Sequence, residues 1–214
     1  MVRVLVGFVL SGLAVLPALA GPDPGSYAEG IEYKRIRPPQ PTQAPEGNVE
    51  VVELFWYGCP HCYRFEPHLS KWLERKSEHV TFVRIPAQLN PGWEVHAAAF
   101  YTAEVLGVAE KIHRPLFDAI HAARRRLNTP EALADFAAEQ GVDRESFLRT
   151  FDSFAVRAKL AHARDLVKAY GARSVPTMVV DGKYLTNAEM AGGSYQSLLD
   201  VVDYLVQKEA EAGR

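Results

Sequence analysis

Hydrophobic and polar positions divide the chain into segments of different period. A run from Val4 to about Leu16 is apolar, with Arg3 before it and Ala18-Leu19-Ala20 after it. That layout predicts a secretory signal peptide over residues 1–20, cut after Ala20, because the apolar stretch is shorter than the ~20 residues of a spanning helix. Residues 31–36 alternate and suggest a short edge strand. Residues 37–47 carry Pro38, Pro39, Pro41 and Pro45, which demands a looped or extended course. Val49 to Tyr57 is nearly all apolar and reads as a central strand buried on both faces. Helical spacing follows over 60–77, where Phe65, Leu69, Trp72 and Leu73 share a face and Pro67 is expected to kink the axis. Val80 to Ile85 is a further strand.

From Trp93 to about Ala163 only helical periodicity is found. Leu116 and Ile120 open one stripe, with Pro115 as a kink or a start. Thr129-Pro130-Glu131 is a helix entry, Gly141 an exit and Asp143 the next cap, leading into Phe147, Phe151 and Phe154. Sheet signals return at Thr177 to Val180, with Asp181-Gly182 as a hairpin turn and Lys183 to Thr186 as its partner. Ser194 caps a last helix bearing Leu198, Val202 and Leu205. The order predicts an α/β domain with a helical block inserted between its halves. Its parts are an N-terminal segment (21–47), a first portion (48–88), the helical insertion (89–163) and a second portion (164–214).

Composition narrows the function classes. The 214 residues hold 24 Lys+Arg and 26 Asp+Glu, a net charge of −2, which disfavours a nucleic-acid binder. The two cysteines cannot build a disulfide scaffold. Both lie in Cys59-Pro60-His61-Cys62, after the predicted central strand and at the start of a helix. A stabilising staple is poorly served by so short a loop. A zinc site lacks a second cysteine pair, and the seven histidines are scattered, so no metal is expected. Haem attachment is disfavoured because Tyr63, not a histidine, follows. A redox pair is the reading that stands. Cys59 at the helix tip meets backbone N–H groups and the positive dipole end, which favour a thiolate. Cys62, one turn on, is the more buried, resolving thiol. Pro60 suits the first helical turn, and His61 is a nearby cation or donor that makes the disulfide more oxidising.

VELFWYGCPHC, the Pro-His dipeptide, the helical insertion before Val175-Pro176, Leu106-Gly107-Val108 and Arg114-Pro115-Leu116-Phe117 together resemble the DsbA family of the thioredoxin superfamily. The resemblance implies a thioredoxin fold, a central mixed sheet flanked by helices, carrying an all-helical insertion. It implies that Val175-Pro176 is a cis-proline loop facing the cysteines and binding substrate. It makes Glu53 a buried acid and candidate proton relay, though an edge-facing acid paired with a lysine is the competing reading and Lys76 lies only approximately where such a partner belongs. The implied protein is a monomeric periplasmic dithiol oxidase, without cofactor and not membrane-embedded. It would donate its disulfide to unfolded secreted proteins with free cysteines and be reoxidised by a DsbB-type inner-membrane quinone reductase. Two other readings compete: an isomerase or reductase of the same superfamily, and a non-catalytic peptide-binding chaperone module.

Overall fold

The computed structural model describes residues 27–212, so the expected signal peptide lies outside the described residues. The segment VEVVELF forms a strand in which all seven residues are buried, as a run with no polar face requires. Numbered in chain order, the strands are β1 (Lys34–Arg35), β2 (Val49–Phe55), β3 (Val80–Pro86), β4 (Thr177–Val180) and β5 (Tyr184–Thr186). They form one mixed sheet in the order β1-β5-β4-β2-β3. Only β2 and β3 run parallel, with Glu53 opposite Arg84, and β2 pairs antiparallel with β4. The predicted strand over 31–36 contracts to the two residues of β1, an edge strand on β5.

α1 (Pro60–Arg75) joins β2 to β3, and α7 (Tyr195–Ala212) closes the chain. Between β3 and β4 lie α2 (Glu94–Val105), α3 (Ala109–His121), α4 (Pro130–Glu139), α5 (Arg144–Phe151) and α6 (Phe154–Tyr170). The caps read from sequence form: Thr129 Oγ accepts from the Ala132 N–H, and an Asp143 carboxylate oxygen from the Ser146 N–H. Four expectations need correction. Of the two readings of Pro115, the helix start falls: it lies inside α3, which begins six residues earlier. Phe154 does not continue the stripe of Phe147 and Phe151, because Ser153 caps a new helix and leaves Phe154 78% exposed. The helix expected over 60–77 stops at Arg75, and Lys76 is its C-cap. α6 runs unbroken through residue 163, so the boundary drawn there falls inside a helix.

Two cores flank the sheet. One gathers Val49 and Val51 of β2 with Phe65, Leu69 and Trp72 of α1 and Leu198, Val202 and Leu205 of α7. The other joins Val52, Leu54 and Phe55 of β2 to Phe100, Leu116, Phe117 and Phe136 of the inserted helices, and includes both cysteines. The insertion therefore packs over one face of the sheet.

Candidate active site

The end of β2 delivers the chain directly into the first turn of α1. Cys59 is the N-cap, with extended φ and ψ, and its sulfur accepts from the Cys62 N–H at 3.5 Å. Pro60 occupies the first helical position, where no N–H is needed. Cys62 is fully buried, and Cys59, the less buried of the two, keeps only 7% of its surface. Both are thiols. The Val175–Pro176 peptide is cis, and the Cys59 thiol points to the Val175 carbonyl at 3.5 Å, so loop and cysteine do meet.

The two sulfurs differ in proton affinity. Cys59 is lowered from 9.0 to about 6, chiefly by the hydrogen bond from the Cys62 thiol, against the opposing effect of burial. The N–H groups of Cys62 and His61 assist, and the His61 charge contributes least of the named causes. Burial, then the neighbouring Cys59, pushes Cys62 the other way. The His61 ring is exposed and accepts at Nδ1 from Arg64 (3.0 Å), since a guanidinium can only donate.

Glu53 is fully buried, with its proton affinity raised to about 8 by burial first and by the Glu66 charge second. It also bears on Cys62, whose thiolate its negative charge disfavours. Its partner is not Lys76, whose ammonium donates to the Val80 carbonyl, but Arg84 on β3, Nε to Oε2 at 3.2 Å. Sequence reasoning passed over Arg84, yet it is the lone charge in VTFVRI and pairs in register with the lone charge at the centre of β2. Glu66 was also missed. It sits one turn after Cys62, between Phe65 and Leu69, on the buried face of α1. His113 joins it from α3 (Nε2 to Oε1, 3.2 Å) and takes the Tyr57 hydroxyl at Nδ1 (2.9 Å).

Three further contacts hold the loop. His121 Nε2 donates to the Tyr57 carbonyl at 2.7 Å, Tyr195 Oη donates to the His61 carbonyl at 3.0 Å, and Trp56 stacks on Trp93 at 4.3 Å. Among the described residues, no set of His, Cys, Asp and Glu is placed to hold a metal, and no helix is long and apolar enough to cross a membrane.

A buried dithiol of unequal acidity, capping a helix against a proline loop beyond the end of an interior strand of a mixed sheet, defines a thioredoxin-like disulfide oxidoreductase. Comparison with known proteins narrows this class. The DSBA-like thioredoxin domain matches residues 50–199. The thiol:disulfide interchange protein DsbA of Pseudomonas aeruginosa is 43% identical over 208 residues, 96% of this chain and 98% of that protein. Its counterpart in Azotobacter vinelandii is 40% identical over 213 residues, 98% and 99% of the two chains. The crystal structure of Pseudomonas aeruginosa DsbA superposes with a TM-score of 0.82 at 46% identity, covering 87% of this chain and 96% of that one. The oxidoreductase DsbA of Xylella fastidiosa gives 0.79 at 35% identity, covering 86% and 97%. The chain belongs to the DsbA family and is a protein disulfide oxidoreductase.

Proposed function

We propose that this chain is a periplasmic dithiol oxidase that passes a Cys59–Cys62 disulfide to newly secreted proteins. The observation that carries this reading is the place of Cys59 at the N-cap of α1, its sulfur 3.5 Å from the Cys62 N–H, which favours a thiolate and lowers the thiol to about 6 against an ordinary 9.0. Whatever stabilises the Cys59 thiolate stabilises the reduced protein, so the disulfide gives up its place readily and drives oxidation of a client. A client thiolate attacks Cys59 Sγ, the Cys59–Cys62 bond breaks, and Cys62 leaves with the electron pair. Its thiolate, disfavoured by burial, takes a proton from Glu53. The second client thiolate then attacks the client sulfur of the mixed disulfide, and Cys59 departs as a thiolate. The client has lost two electrons and the protein has gained them. The Val175 carbonyl, beside Cys59, offers an acceptor to an extended client backbone during the exchange. A DsbB-type quinone reductase of the inner membrane would restore the disulfide.

Equilibration with glutathione redox buffers tests the direction. The reading requires a couple far more oxidising than cytosolic thioredoxin, and an equally reducing one refutes it. Cys59→Ser should abolish oxidation of a reduced client peptide; retained activity would favour a non-catalytic binding module.

A further inference from the structure

Two buried carboxylates, Glu53 of β2 and Glu66 of α1, share one guanidinium, that of Arg84. Two anions against one cation in an apolar interior leave an excess negative charge, which a proton neutralises. The hydrogen bonds indicate which carboxylate takes it. The buried Tyr57 hydroxyl meets Nδ1 of His113 at 2.9 Å; placing its hydrogen there leaves the ring hydrogen on Nε2, which then donates to Glu66 Oε1. Glu66 Oε2 faces Arg84 Nη2 at 3.7 Å. Each Glu66 oxygen thus has a donor or cation directed at it. Neither oxygen of Glu53 has an aligned hydrogen bond, and Arg84 Nε lacks one too, although the two groups stand 3.2 Å apart. Distance alone would put the charge on Glu53. Alignment puts it on Glu66, because a buried carboxylate without donors is the costlier anion.

We propose that Glu66, held as an anion between His113 and Arg84, is the positioning residue that leaves the exchangeable proton of this buried set on Glu53. The inference rests on the reading of Glu53 as the proton relay of Cys62. The charged and titratable groups around the pair are Cys62 from α1, Arg84 from β3, Tyr57 just beyond β2, and His113, Glu110 and, acting on Glu66 from the half-exposed side, Arg114 from α3; across β2, strand β4 offers Met178, which does not titrate. The His113 ring lies among Phe55, Phe100 and Phe117, which favours its neutral form. A pocket of about 240 Å³ lined by Arg84, Glu110 and His113 opens this side of the set toward the surface.

The test is carboxyl NMR of the reduced full-length protein with isotope-labelled glutamate, titrated in wild type, Glu66→Gln and His113→Gln. In wild type Glu53 should titrate above neutrality and Glu66 below the ordinary carboxylate range. Glu66→Gln removes a neighbouring anion and leaves Arg84 to Glu53. The Glu53 midpoint should therefore fall by about one pH unit, ~tenfold in proton affinity. His113→Gln should lower it by less while raising that of Glu66. The pH profile for Cys62 attack on a mixed disulfide should move with Glu53, whereas a merely structural role would lower the rate at every pH without moving the profile. An unmoved Glu53 midpoint in both variants, or a wild-type proton residing on Glu66, overturns the proposal. An unchanged exchange rate in Glu53→Gln would instead refute the relay on its own, whatever the titration shows.

Discussion

Cys59 owes its acidity mainly to donors supplied by its own helix turn, the Cys62 thiol first and then the N–H groups of Cys62 and His61. A thiolate absorbance titration of the reduced protein should therefore show a midpoint near about 6. The lowered value has a consequence for stability. Between about 6 and 9.0 the native reduced protein binds fewer protons than its unfolded chain, so this group's contribution is present above 9.0 and lost as pH falls through 6. Glu53 acts with the opposite sign, losing stability as pH rises from 4.5 to about 8, and the causes of its shift are burial, Glu66 and Arg84 rather than either sulfur. The stability of the reduced protein relative to the oxidised one should thus rise from pH 6 to 9, as denaturant melts of the two forms would show. His61→Leu removes no backbone donor and only the least of the named causes, so the absorbance midpoint should rise by well under one pH unit. The cysteines and the first-turn proline were legible in the sequence because their spacing alone defines the geometry. Glu66 was not, because a glutamate on an apolar stripe looks like a boundary residue until His113 arrives from 47 positions away.

At the level of elements, the proline-rich segment is tied to the β4–β5 hairpin. Ile36 N–H donates to the Lys183 carbonyl, and Gln40 N–H to that of Gly182. A Cβ at Gly182 would stand 2.1 Å from the Gln40 carbonyl oxygen, at a φ of +60°. Gly182→Ala should therefore cost roughly 1–3 kcal/mol for the conformation alone, with the collision added. Gly171→Ala, at φ +69° but with nothing within 4 Å, should cost about 1 kcal/mol, so chemical denaturation of the pair separates crowding from backbone strain. Thr129→Ala should cost about 1 kcal/mol by removing the α4 cap. Caps and hairpin turns could be read from sequence because each is a local hydrogen-bond pattern. The break between α5 and α6 could not, since Phe147, Phe151 and Phe154 keep helical spacing across it and only the Ser153 cap marks the interruption.

Across the whole molecule the insertion and the sheet share one core. Phe117 of α3 packs against Phe55 and Tyr57, at ring distances of 6.0 and 4.9 Å. Phe117→Ala should cost ~3–5 kcal/mol and lower a single cooperative transition rather than split it, as calorimetry would show. The alternation of sheet and helical segments in the chain foretold this architecture. Which face the inserted helices would cover, and that they would supply His113 to the buried charges, depends on packing between residues far apart in sequence.

The bond from His121 to the Tyr57 carbonyl has a consequence for protein engineering. Tyr57 lies two residues before Cys59, and the imidazole that satisfies its carbonyl belongs to the insertion. Trimming that insertion to obtain a minimal redox module would strip the strap leading to the sulfurs of its anchor and open the aromatic floor beneath it to water. The helical block is a wall of the reaction chamber, and a shortened version of this chain would need a new wall in its place.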